Sequence, residues 1–80
     1  MNLKQTIVNR FLQICNERDI KPNELAVLSG ITPSTVYSFL DSTRNEVYIS
    51  TIKKLCDGLE ITLGQFFSTP EFDNLEQEIK

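Results

Sequence analysis

The sequence lacks several residues on which metal and catalytic sites depend. It contains no histidine, and its two cysteines, Cys15 and Cys56, lie far apart without a Cys-x-x-Cys spacing. Both cysteines fall within apolar patterns, which predicts buried free thiols and argues against a zinc or redox site. Histidine is also the commonest general base, and no phosphate-binding glycine loop or flanked nucleophile is present. We therefore expect neither an enzyme nor a bound metal or cofactor.

Long apolar runs are also missing. No stretch approaches the ~20 residues that cross a bilayer, and the first residues lack the charged, apolar and small-residue order of a signal peptide. At 80 residues the chain should form one small domain without a separate ligand-sensing module. These absences predict a cytoplasmic protein with no membrane partner and no small-molecule ligand.

An excess of basic residues is the third absence. The formal net charge is -3. The last ten residues account for that charge, with four acidic side chains against Lys80, whereas residues 1–70 carry seven basic and seven acidic side chains. Any phosphate group must therefore be bound by local geometry more than by the overall field of the protein.

The residues that are present follow helical periodicity over most of the chain. Residues 2–18 form the longest predicted helix, in which Lys4, Arg10, Glu17 and Arg18 are left for solvent. Its apolar positions are Leu3, Ile7, Val8, Phe11, Leu12, Ile14 and Cys15.

Three further helix starts share one pattern. The segments IKPNEL, ITPSTV and ITLGQF begin at Ile20, Ile31 and Ile61. Each places an apolar residue before a cap position and another apolar residue five places later, which is typical of a hydrophobic staple at a helix start. Together with one more helix indicated by apolar spacing, the predicted helices cover about residues 22–29, 33–41, 50–58 and 62–67.

Cap residues support these boundaries. Thr32 and Thr62 are predicted N-caps, since a hydroxyl accepts a hydrogen bond from a free amide of the first turn, and Gln65 completes a capping box with Thr62. Gly30 and Gly58 are predicted to end helices in the left-handed conformation. No alternating pattern is long enough for a paired strand, so the sequence predicts an all-α protein.

The acidic tail has an apolar stripe of its own. Phe72, Leu75 and Ile79 lie at helical spacing after Pro70. A short amphipathic helix docked on its own domain and a dimer contact both fit this stripe. We expect a domain over residues 1–69 and a separate acidic tail over residues 70–80.

The centre of the sequence has the steric pattern of a helix-turn-helix. Ala26 is small where two helices must cross, Gly30 allows a tight turn, and Ile31 and Val36 bury the second helix. With the downstream IKKLCDGLEITLGQFF, the run NELAVLSGITPSTVYSFL resembles the Cro and phage-repressor family of helix-turn-helix proteins, also called the Xre family. The resemblance implies a compact all-α bundle of four to five helices of the lambda-repressor-like type, to which this chain adds its acidic amphipathic segment. It also implies sequence-specific DNA binding in transcriptional control.

The predicted helix over residues 33–41 carries small polar side chains on its open face. In helix-turn-helix proteins this helix enters the major groove, where short hydroxyl side chains approach the base edges closely. Capping explains Thr32, but it does not explain a serine late in the helix. The predicted base-readout residues are Ser34, Thr35, Tyr37 and Ser38.

Phosphate contacts are predicted around that helix, because helix starts present free amides and a partial positive charge. Lys53 and Lys54 are equally consistent with a solvated face. One small domain offers few base contacts, so we expect a homodimer on double-stranded DNA. The predicted phosphate-contacting residues are Asn23, Arg44, Asn45, Thr51 and Lys54.

A second function stays open at this point. Pro22 stands where the family often has a glutamine that contacts the DNA backbone, and Arg44 is the only basic residue of its loop, DSTRNEVY. The alternative is a helix-turn-helix protein-interaction module, or an antitoxin-like partner protein, with weak or no DNA binding. The polar face of the helix over residues 33–41 favours a transcriptional regulator, with repression as its expected activity.

Overall fold

The computed structural model describes residues 2–41, 43–44 and 46–76, and these residues form helices and no strand. The all-α prediction is confirmed, and the predicted helices are present within one or two residues of their expected bounds. In chain order the described helices are α1 (Leu3–Glu17), α2 (Pro22–Ser29), α3 (Pro33–Leu40), α4 (Ile49–Gly58), α5 (Leu63–Phe67) and α6 (Pro70–Asp73).

The helix starts form as the cap residues predict. The Thr32 hydroxyl accepts a hydrogen bond from the Thr35 amide at 3.2 Å. At the start of α5 the Gln65 amide donates to the Thr62 hydroxyl at 3.0 Å, and the Thr62 amide donates to the Gln65 side chain at 2.9 Å. The predicted capping box is therefore confirmed, and it fixes the first turn of a helix too short to be stable alone.

An aromatic cluster occupies the centre of the core and includes all five phenylalanines of the chain. Phe11 of α1 meets the ring of Phe39 in α3 edge-on, with the ring centroids 5.3 Å apart, and the ring of Phe66 in α5 at 4.2 Å. Phe67 and Phe72 extend the cluster from Phe66 to α6. Helices distant in sequence are thus joined through one set of ring contacts.

Lys4 is buried, so its predicted exposure to solvent was wrong. Lys4 belongs to α1, and its Nζ donates to main-chain oxygens of the loop after α3, those of Asp41 at 3.3 Å and Arg44 at 2.9 Å. The ammonium also lies 5.7 Å from the centroid of the Phe39 ring. The apolar surroundings accept this cation because carbonyl dipoles and an aromatic face replace its water.

Two arginines, Arg10 within α1 and Arg18 at its C-cap, also donate to main-chain carbonyl oxygens. Arg10 is half-buried, which corrects the expectation that it is left for solvent, whereas Arg18 is exposed as predicted. Arg10 donates to the carbonyl oxygens of Gln65 at 3.0 Å and Phe66 at 2.8 Å, in the last turn of α5. Arg18 donates to the carbonyl oxygen of Leu59, which caps the end of α4. Cations stabilise helix C-termini because the last carbonyls lack helical partners and carry partial negative charge.

The two glycines predicted as helix ends behave differently. Gly30 has φ of 70° and ends α2 in the left-handed conformation, as predicted. Gly58 does not: it is the last residue of α4, and Glu60 adopts the positive φ beyond it. A Cβ on Gly58 would lie 2.9 Å from the amide nitrogen of Ser29 and 3.0 Å from the carbonyl carbon of Leu28. The glycine is required by the close approach of α2 to α4 rather than by a turn.

The part of the tail that is described lies against the domain. Phe72 of α6 is half-buried beside Phe66 and Phe67, and Leu75 is half-buried after the helix ends. Ile79, the last position of the predicted stripe, lies outside the described residues. The division at residue 70 stays a prediction.

We predict that Gly58→Ala destabilises the protein by about 1–3 kcal/mol, because the added methyl group overlaps the main chain of α2. Gly64→Ala is the matched control, since its Cβ would meet only the Thr62 hydroxyl at 3.8 Å. The control should leave stability unchanged or raise it by up to about 1 kcal/mol. Urea denaturation followed by circular dichroism measures both changes, and equal effects at the two glycines would contradict the close-approach explanation.

Candidate nucleic-acid interface

Two short helices and a tight turn place one helix on the surface of the domain. Leu25 and Ala26 bury the inner side of α2 at 2% and 0% exposure. The Ile31 amide donates to the Ala26 carbonyl oxygen at 3.1 Å across the Gly30 turn. Thr32 then begins α3 at once, so the two helices are joined without a flexible linker and form a helix-turn-helix.

The buried side of α3 determines which of its residues face outward. Val36 is completely buried, and Phe39 is 6% exposed within the aromatic cluster. Leu40 is half-buried against the same core, and the other side chains of the helix are exposed. All four predicted base-readout residues are exposed, namely Ser34, Thr35, Tyr37 and Ser38.

The hydroxyl groups of this face fall into two groups. The Thr32 hydroxyl lies 2.8 Å from that of Thr35 and 3.1 Å from that of Ser34, so these groups share a network around the helix start. Tyr37 and Ser38 make no side-chain hydrogen bond to any other residue that the structure describes. Capping therefore explains part of the polarity of α3, and it leaves Tyr37 and Ser38 open to an external partner.

A groove of about 160 Å³ separates α3 from the start of α4. It brings together residues predicted for two different roles: Thr35 and Ser38 for base readout, and Arg44 and Thr51 for phosphate contact. The same groove is also lined by Phe39, Glu46, Val47 and Tyr48. The structure thus places both kinds of predicted contact on one continuous surface.

The other predicted phosphate-contacting residues lie elsewhere. Asn23 is exposed in the first turn of α2, and Lys54 is exposed in the second turn of α4. Neither of them lines the groove. Asn45 lies outside the described residues.

The start of α4 adds features that the sequence did not reveal. Tyr48 occupies the N-cap position, yet its side chain accepts no hydrogen bond from the first turn. Among the described residues, the main-chain amides of Ile49 and Ser50 have no hydrogen-bond acceptor. These free donors and the partial positive charge of the helix start lie at the rim of the groove. Tyr48 is also 80% exposed. The string VYI resembles a short strand, which hid Tyr48 from the sequence-based prediction.

Comparison with known proteins decides the family. The family model for the Cro/C1-type helix-turn-helix DNA-binding domain matches residues 10–71. The chain belongs to this family. The crystal structure of the prophage Lp1 protein 11 has a similar fold, with a TM-score of 0.81 and 23% sequence identity over 92% of this chain and 97% of that one. No curated protein matches the chain in sequence.

This Cro/C1-type domain uses most of its described basic residues in contacts within the chain. Lys4 and Arg10 of α1 and Arg18 at its C-cap bind main-chain carbonyl oxygens of other helices and loops, as described above. Arg44 forms an ion pair with Asp41 at 3.8 Å, and Lys53 forms one with Asp57. Among the described basic side chains, Lys21 and Lys54 have neither an ion-pair partner nor a carbonyl oxygen as hydrogen-bond partner. Phosphate binding would therefore depend strongly on amides, hydroxyls and a small number of cations.

No further class of site is found in the Cro/C1-type domain. Across the residues that the structure describes, acidic and cysteine side chains do not gather into a group that could hold a metal ion. Each helix in this part of the chain is too short or too polar to span a lipid bilayer. Both cysteines are buried free thiols, as predicted, and burial raises the pKa of each thiol, so they are poor nucleophiles.

The loop after α3 is organised by Asp41. One carboxylate oxygen accepts hydrogen bonds from the Thr43 hydroxyl at 2.7 Å and the Thr43 amide at 2.9 Å. These bonds lower the pKa of Asp41, with smaller contributions from the charges of Arg44 and Lys4. The carboxylate form is favoured in the folded protein, so its contribution is present above the unfolded pKa and is lost as the pH falls through the folded value.

We predict that Thr43→Val raises the pKa of Asp41 toward its ordinary value, because the valine side chain has the shape of threonine but donates no hydrogen bond, while the bond from the main-chain amide stays. The carboxyl carbon shift of Asp41, followed by NMR between about pH 2 and pH 6, measures the change. Arg44→Ala is the control and should raise the pKa of Asp41 less, since the charge of Arg44 is a smaller cause than the Thr43 side-chain bond. An unchanged pKa in Thr43→Val would contradict this explanation.

Proposed function

We propose that the protein is a sequence-specific transcriptional regulator that reads the major groove of double-stranded DNA with α3 and acts in the cytoplasm. The observation that carries this proposal is the exposed polar face of α3, which continues into the groove lined by Arg44 and Thr51. Repression is the simplest activity for such a domain, because a bound copy excludes other proteins from the same DNA.

The side chains on α3 fit base readout by their size and chemistry. Ser34, Thr35 and Ser38 are short, so the helix axis can approach the floor of the major groove. A hydroxyl donates or accepts at base edges, and the threonine methyl group can contact the methyl group of thymine. Tyr37 is 53% exposed and long enough to reach the sugar-phosphate backbone beside the helix.

The groups around α3 fit phosphate binding. Arg44 and the uncapped start of α4 lie beside the groove, where a DNA strand would pass if α3 occupied the major groove. Asn23, Thr51 and Lys54 are proposed to contact neighbouring phosphates, together with Asn45. Such contacts set the register of the protein on DNA but carry no sequence information.

Selection of bound sequences from random DNA tests base readout directly. Replacement of Thr35 or Ser38 by alanine should relax the preference at particular base pairs, at about 1–3 kcal/mol for each good contact. Arg44→Ala should instead weaken all sites to a similar degree and lower the salt slope of binding by about 0.9. A selected motif that is unchanged in both α3 variants would contradict readout by this face.

A homodimer on DNA is the second part of the proposal. A single domain of this size makes few base contacts, and two copies on half-sites about 34 Å apart would supply the missing specificity. Light scattering of the protein with and without its selected DNA should give two copies per site at saturation. One copy per site at saturation would contradict the dimer.

A protein-interaction module, or an antitoxin-like partner protein, is the second candidate function. It is favoured by the internal use of Lys4, Arg10 and Arg18, which leaves little free positive charge for DNA. A salt titration separates the candidates. A DNA-binding regulator should lose affinity linearly in log salt with a slope set by several phosphates. Binding that is absent, or flat with salt, would favour the interaction module.

A further inference from the structure

Lys4 is the one buried cation that connects α1 to the proposed DNA-contacting loop. Its residue is only 5% exposed, which is rare for lysine unless the ammonium has partners. It has them in the carbonyl oxygens of Asp41 and Arg44 and in the face of the Phe39 ring. None of the contacts proposed above with DNA involves this side chain.

The two carbonyl oxygens that bind Lys4 mark the ends of one short loop. Asp41 caps the end of α3, and Arg44 carries the guanidinium beside the groove. The Asp41 carboxylate organises the loop from within by accepting from Thr43, and the Arg44 amide donates to the Asp41 carbonyl oxygen at 3.2 Å. Lys4 binds the same loop from the core side. Its single ammonium can contact the carbonyl oxygens of both Asp41 and Arg44 only while these two oxygens stay close together.

We propose that Lys4 is a positioning residue for DNA binding, which holds the main chain of Arg44 beside α3 without touching a phosphate itself. The inference rests on the proposed function and deepens it. It separates two roles for basic residues near the interface: Arg44 contacts the DNA, and Lys4 fixes the place from which Arg44 does so. An arginine placed by a rigid loop loses less side-chain freedom on binding than one on a mobile loop.

A double-mutant cycle in the full chain tests this role, with Lys4→Met and Arg44→Ala measured on the DNA selected above. Methionine keeps the length of the lysine stem but donates no hydrogen bond. Lys4→Met should weaken DNA binding by about fivefold or more when Arg44 is present, and by less than about twofold in the Arg44→Ala background. It should also lower the salt slope as Arg44→Ala does, although Lys4 is buried.

Arg10→Met is the matched control. It removes the same charge from the same helix and the same kind of carbonyl contact, but at the end of α5. Its effect on DNA binding should be equal in both Arg44 backgrounds, with an unchanged salt slope. Lys4→Arg should restore binding, since a guanidinium also donates to both carbonyl oxygens. If Lys4→Met is partly unfolded by circular dichroism, Lys4→Gln, which keeps one donating group, replaces it in the cycle.

Amide hydrogen exchange without DNA gives an independent measure. The amides of Thr43 and Arg44 should lose protection in Lys4→Met and keep it in Arg10→Met. If the wild-type chain binds no DNA, the proposed function fails and the positioning role fails with it. If the wild type binds and Arg44→Ala weakens it, but the Lys4 and Arg44 effects are additive or loop protection is unchanged, the positioning role alone is overturned.

Discussion

The contact between Phe11 and Phe39 determines the orientation of the surface helix α3. The Phe11 ring meets Phe39 of α3 on one side and Phe66 of α5 on the other, and it is 1% exposed. A helix of eight residues turns as a unit, so burying Phe39 and Val36 inside determines the direction of every other side chain of α3. Because one side of α3 is buried against the core, its polar side is exposed to solvent. The packing of the core therefore also determines the orientation of the candidate interface.

Electrostatics adds a second layer to this packing. The helices are short, so carbonyl groups without helical partners are frequent near their C-terminal ends. Residues of α1 and its C-cap supply three cations at these ends: Lys4 near the end of α3, Arg18 at the end of α4 and Arg10 at the end of α5. The first helix therefore contributes more than an apolar stripe, because its cations stabilise the ends of three helices against which it packs.

Local signals in the sequence predicted most of the fold. Helix starts at Thr32 and Thr62 could be located because the capping bonds join residues three positions apart. The exposed side of α3 also followed from periodicity, although its contact with DNA stays a prediction. The roles of Gly58 and Lys4 could not be predicted from local patterns, because each residue contacts a main-chain segment that is distant in the sequence. The exposure of Tyr48 at the N-cap of α4 was not predicted, because the local pattern VYI indicates a short strand rather than a helix start.

The contacts that Lys4, Arg10 and Arg18 make within the chain have a consequence for the DNA binding proposed above. Affinity for arbitrary DNA comes from neutralised phosphates, and a chain with a net charge of -3 has few free cations for this purpose. Under the proposed function, such a domain would spend little time on unrelated sequence, and most copies would stay free in solution and search by collision rather than by sliding. Discrimination between the target site and unrelated DNA would then come from weak binding to unrelated DNA rather than from very tight binding to the target. A small number of copies would suffice to occupy a single site.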